Sequence, residues 1–185
     1  VFGILSFFGI LAACNSGNGA SEPDVNYEEL GGKIVAETQM ALAGELKAAL
    51  DRGGVDEAVS YCNVNAISIT DSMGQLHNAD IKRVTDLPRN FMNEANDAER
   101  NVIAVWNTKM LEKVELKPVV FSNQETVDFY APIVIKPLCL NCHGQVGKEL
   151  SEENYLTIVS KYPQDRATGY ADGELRGAWH VTFKK

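Results

Sequence analysis

Residues 115–135 read ELKPVVFSNQETVDFYAPIVI. Two strand-like runs, near 115–121 and 126–135, flank a short polar stretch in which Ser122-Asn123 is the turn signal. Strands this close in sequence pair as an antiparallel hairpin, because a parallel pair needs a crossover of a dozen or more residues. The elements around the hairpin alternate without a regular βαβ rhythm. Toward the N-terminus, apolar residues at 27, 30, 34, 35, 42, 46, 49 and 50 recur mostly in steps of three and four, which predicts an amphipathic helix stopped by Gly53-Gly54. Gly31-Gly32 are expected to weaken its first turns. A second helix is expected over about 55–76, with Ala58, Cys62, Ala66, Ile69, Met73 and Leu76 as its stripe. Residues 81–85 alternate as a short strand, 86–96 form a polar loop, and a helix over about 97–113 carries Val102, Val105, Trp106 and Met110 on one side. Beyond the hairpin come a loop with Pro137, a helix over about 152–161 and a last strand, GAWHVTF, at 177–183. The order predicts an α+β domain built on an antiparallel sheet.

Composition narrows the classes of function. The 185 residues are 45% hydrophobic and 23% charged, ordinary for a globular chain and wrong for a disordered, collagenous or multi-span membrane protein. Lys and Arg number 17 against 25 Asp and Glu, a formal charge of −8. An acidic surface argues against nucleic acid and against electrostatic docking on anionic lipid. Four cysteines, Cys14, Cys62, Cys139 and Cys142, are too few and too unevenly spaced for a disulfide-built miniprotein.

Residues 1–13, VFGILSFFGILAA, are uncharged, apolar and shorter than the roughly 18–20 residues needed to cross a bilayer. They suit a signal-peptide core. Leu11-Ala12-Ala13-Cys14 resembles a bacterial lipobox, in which Cys14 becomes the acylated first residue of the mature protein. Residues 14–26, rich in small and polar residues with Gly and Pro, read as a flexible tether, and 27–185 as the folded domain. The expectation is an exported protein on the periplasmic side, lipid-anchored to a bacterial membrane.

Cys139-Leu140-Asn141-Cys142-His143 is a CxxCH string, the attachment pattern of a c-type haem. Two thiols two residues apart lie on one helical turn and can each add to a haem vinyl group, while the following histidine offers a ring nitrogen to iron. Gly144 lets the chain turn away. A dithiol–disulfide oxidoreductase also uses CxxC, but within a thioredoxin-like βαβ pattern that is missing here. A structural zinc site needs four ligands, and there is no second CxxC. Export agrees with haem c, which is attached outside the cytoplasm. Candidates for the other axial position are Cys62, His77, His180 and the four methionines. His77 lies in a polar stretch and reads as a surface residue. His180 alternates against Trp179 and Val181 and is expected to point away from them, toward solvent. Met73 and Met110 occupy apolar helix positions that suit core packing. Cys62 stands between the small residues Ala58 and Ala66, which leave room beside its sulfur.

Four further strings, AVSYCNVNA, IKRVTDLPRN at 81–90, APIVIKPLCLNCHG at 131–144 and DRATGYADGELRGAWHV at 165–181, resemble the stand-alone c-type haem domains of the Tll-like type. The resemblance implies a PAS-like antiparallel sheet flanked by helices, with an N-terminal helical extension and haem c between sheet and helices. It implies iron held by His143 and Cys62, and it aligns Arg83, Arg89 and Asn90 with the family's Arg/Arg-Asn positions. An arginine there suits a haem propionate. The alternative is a loop arginine paired with Asp86 or Glu94. One departure is Asn90-Phe91, where the family tends to show Asn-Pro.

A cysteine trans to histidine donates electron density to iron, so a low potential and low-spin ferric state are expected. Weakening of that bond on reduction would open a place for a diatomic gas, which fits a redox or small-gas sensor. A tethered periplasmic electron-transfer cytochrome with a redox partner protein is the alternative. No acid–base pair or nucleophile–base spacing suggests an enzyme.

Overall fold

The computed structural model describes residues 25–185. The expected signal peptide, Cys14 and most of the tether lie outside the described residues. The chain begins with helix α1 (Tyr27–His77), whose N-cap Asn26 accepts a hydrogen bond from the Glu29 backbone N–H. Gly53 and Gly54 break it, and Gly54 takes a φ of +66°, a left-handed value that suits glycine. The two arms fold back on one another there. The Tyr61 hydroxyl donates to Glu45 at 2.7 Å, and His77 lies 3.0 Å from Glu37. His77 is therefore held, half-buried, between the arms rather than free on the surface.

Strand β1 (Asp80–Val84) leads through a loop with a 3-10 turn at Phe91–Asn93 into α2 (Asp97–Leu111). The hairpin strands β2 (Val119–Ser122) and β3 (Thr126–Val134) follow. Then come a second 3-10 turn at Pro137–Cys139, the one-turn helix α3 (Leu140–His143), α4 (Glu152–Lys161) and β4 (Leu175–Lys184). The sheet order is β1-β4-β3-β2, antiparallel throughout. The expected α+β class, antiparallel sheet and N-terminal helical extension are all observed.

Both faces of the sheet are covered. On one, Phe129, Trp179, Val181 and Phe183 pack against Ile34 and Val35 of α1. Gly31 is buried here rather than fraying: a Cβ on it would sit 2.3 Å from the Phe129 ring, so the missing side chain lets α1 cross the sheet closely. On the other face Tyr130 and Ala178 pack against Ile103 and Trp106 of α2. Three expectations change here. Val105 is 55% exposed and Ile103 takes the buried place instead. His180 does point away from Trp179, as alternation requires, but α2 covers that face and leaves it 9% exposed. Leu76, expected on the buried stripe of α1, is also exposed. A third cluster, Val59, Leu150, Ile158 and Tyr162, fastens α4 to the second arm of α1. Among the described residues no helix is long and apolar enough to cross a membrane.

Candidate functional site

Lys136-Pro137 ends the run of β3, and Pro137 opens the 3-10 turn that carries Cys139 into α3. Gly144 closes α3, where a Cβ would stand 2.7 Å from the Leu140 carbonyl oxygen. Within this turn His143 Nδ1 lies 2.6 Å from the Ala167 carbonyl oxygen. A carbonyl only accepts, so Nδ1 carries the proton and Nε2 keeps its lone pair. Burial, reinforced by the nearby Arg89 and Arg176 guanidinium groups, pushes the imidazole down to about 3, so the ring is neutral near pH 7. The Tyr170 ring meets it edge-on, with centroids 6.4 Å apart.

His143 lines a cavity of about 320 Å³ together with Cys139, Cys142 and Cys62. Cys62 reaches it from the second arm of α1, and Ala58 and Ala66, one turn to either side, line the same space. The three cysteines are free thiols. Burial raises the Cys62 thiol, and Arg83 and Arg89 oppose that rise. Burial likewise raises Cys142. The structure thus gathers the expected Cys62, Cys139, Cys142, His143, Arg83 and Arg89 around one space. It keeps His77 and His180 out of the cavity lining.

The arginines differ from one another. Arg89 donates from Nε to Asp165 at 3.1 Å and from Nη2 to the Cys142 carbonyl at 2.6 Å. Its acid is Asp165, not Asp86 or Glu94, which lie within 3.5 Å of Arg100 instead. Arg83 extends over the Trp179 ring at 5.9 Å and has no carboxylate partner among the described residues. Arg176, which sequence reasoning did not single out, donates to Thr85 Oγ1 at 2.8 Å and lies over Tyr170. Burial lowers the pKa of both Arg83 and Arg176. The signal for Arg176 and Asp165 was present in the string at 165–181, though nothing local set them apart from other charged residues.

The donor set has a clear chemistry. The walls are apolar and small near Cys62, a neutral imidazole offers one nitrogen, and two enclosed guanidinium groups have no carboxylate partner among the described residues. Such a space suits a flat apolar group carrying acidic substituents, with Arg83 and Arg176 placed to meet the acids. Among the described residues no three His, Cys, Asp or Glu side chains are arranged to hold a metal ion by themselves.

Residues 26–183 match the family model described as Tll0287-like: Tll0287. The chain belongs to the Tll0287-like family. This Tll0287-like chain is also similar to a solved structure described as the crystal structure of the cyanobacterial heme-protein Tll0287. The two are 21% identical with a TM-score of 0.64, and the match covers 87% of this chain and 98% of that one. At that identity the likeness establishes the fold. No curated protein matches significantly.

Proposed function

We propose that the protein binds haem c covalently through Cys139 and Cys142, with His143 and Cys62 to hold its iron, and acts as an exported redox or small-gas sensor. The observation that carries this reading is the meeting of Cys62, from α1, with the CxxCH turn around a single cavity that also holds two arginines without acids. Family membership and the solved haem protein of the same fold support it. Bound haem would supply a one-electron centre able to take a diatomic ligand. The chain's own residues do the rest. Ala167 fixes the tautomer of His143, Arg83 and Arg176 meet acidic substituents, and Ala58 and Ala66 leave space at Cys62 for a small ligand. We place the domain on the periplasmic side, anchored through Cys14, with binding rather than turnover as its role.

Electron transfer is the second reading. It is favoured by Leu138, which lines the cavity yet is 65% exposed, so one edge of the site reaches solvent where a redox partner protein can approach.

The test is the absorption spectrum of the exported chain, matured with c-type haem, in ferric, ferrous and CO-treated forms beside Cys62→Ala. Covalent haem with a Soret band that changes in the variant is the expected result. CO uptake by the reduced wild type supports sensing, and refusal supports electron transfer. Failure of haem to attach to a folded, fully matured chain would remove the reading and return CxxC to dithiol chemistry.

A further inference from the structure

Asp165 is the acid buried deepest beside the cavity, with a side chain 0% exposed, and it is not a candidate ligand. Its carboxylate accepts from Arg89 Nε at 3.1 Å and, through the same oxygen, from the Ala167 backbone N–H at 3.2 Å. Its other oxygen lies 3.4 Å from Arg89 Nη2. Each contact leads on to the CxxCH turn. Arg89 Nη2 holds the Cys142 carbonyl, and the Ala167 carbonyl receives the proton of His143 Nδ1. The segment that follows is laid against the turn by two backbone bonds, Tyr170 N–H to the His143 carbonyl and Gly169 N–H to the Gly144 carbonyl, each at 2.9 Å.

We infer that Asp165 and Arg89 form a positioning clamp for His143, one carboxylate setting both the Cys142 carbonyl and the acceptor that orients the ring. The inference rests on the haem reading above. A guanidinium is needed because Arg89 must face the carboxylate and the Cys142 carbonyl together, and an ammonium has no planar fork for that. Removing the carboxylate leaves a buried cation without its acid and frees the Ala167 carbonyl to drift from Nδ1. The hydrogen bond at Nδ1 raises the basicity of a histidine ligand, so its loss weakens ligation of the ferric state most.

The test compares the matured full chain with Asp165→Asn, Arg89→Lys and, as a control, Asp128→Asn, which disturbs a polar cluster against α2 outside the cavity lining. Covalent haem is read after denaturation, and the reduction potential in the native protein. The clamp predicts that both variants keep haem and rise in potential by the equivalent of roughly a ten-fold change in the ferric-to-ferrous affinity ratio of the histidine, while the control does not. Loss of haem from both variants with wild-type circular dichroism would also overturn it, because the clamp acts on the histidine and not on the thioether bonds. Unchanged potentials, an equal shift in the control, or collapse of both variants to unfolded chains would each overturn the clamp. Absence of haem from the wild type would instead defeat the underlying reading.

Discussion

Two histidines, the half-buried His143 and the buried His180, show how much a ring depends on what it faces. His143 gives Nδ1 to a neutral carbonyl, has guanidinium groups nearby, and is pushed down to about 3 with Nε2 unpartnered among the described residues. His180 faces a carboxylate at each nitrogen, Glu99 at 2.8 Å from Nδ1 and Asp128 at 3.0 Å from Nε2, and it stacks on Tyr130 at 4.2 Å. Both of its ring nitrogens are therefore taken up by acids. The first ring keeps one nitrogen free among the described residues. The second is a bridge tying α2 and β3 to β4, with no nitrogen left to ligate anything. Sequence reading considered both for iron, and their surroundings separate them.

The largest expected effect breaks the comparison outright. His180→Ala leaves the buried Glu99 carboxylate without its hydrogen-bond partner and should cost about 3 kcal/mol in denaturant unfolding. The spectrum of any folded haem-bearing fraction should stay as in wild type. His143→Ala should do the reverse, abolishing the low-spin spectrum with a small change in unfolding midpoint. A variant of His180 that alters the Soret band would undo the division.

A smaller effect tests the face opposite His180. Gly31→Ala forces a methyl into the Phe129 ring and should lower stability by about 1–3 kcal/mol, read as a fall in Tm, because the ring is fully buried and cannot swing away. A neutral result would show that α1 lifts from the sheet at low cost.

The smallest is a pH dependence that sharpens the contrast. Burial raises both carboxyls, but hydrogen bonds from His180, joined by the Asn96 backbone N–H at Glu99 and by Thr182 and Thr126 at Asp128, together outweigh it and hold the two below their ordinary values of 4.5 and 3.8. Folded values lower than unfolded ones mean stability that is complete above those values and lost as pH falls through them toward the depressed ones. Thermal melts from pH 6 to 3 should therefore fall in wild type, and less steeply in Glu99→Gln. Parallel curves would mean that the carboxylates gain little from His180.

Most of the element types were legible because their signals are local. The Gly53-Gly54 break, the 119–134 hairpin, α4 and β4 follow from periodicity and turn residues within a few positions. The misreadings share one cause. Alternation in 177–183 shows that His180 opposes Trp179, but not that α2 lies over it. Spacing along α2 offers both Val105 and Ile103, and the choice depends on the angle at which the helix meets the sheet. Gly31 looks like a weak point in a lone helix and becomes a close crossing once Phe129 is beneath it.

The candidate site divides in the same way. The sequence alone brought two thiols and an imidazole together, since Cys139, Cys142 and His143 share one turn wherever it is placed. It also supplied Cys62 and the arginines as candidates. Tertiary structure decided their partners: Cys62 reaches the turn only because α1 doubles back, and Arg89 finds Asp165 across 76 residues. Arg83 and Arg176 come to line the same cavity without a carboxylate partner among the described residues. Covalent patterns are written in neighbouring residues, whereas the charge and hydrogen bonding that tune them come from groups brought together by folding.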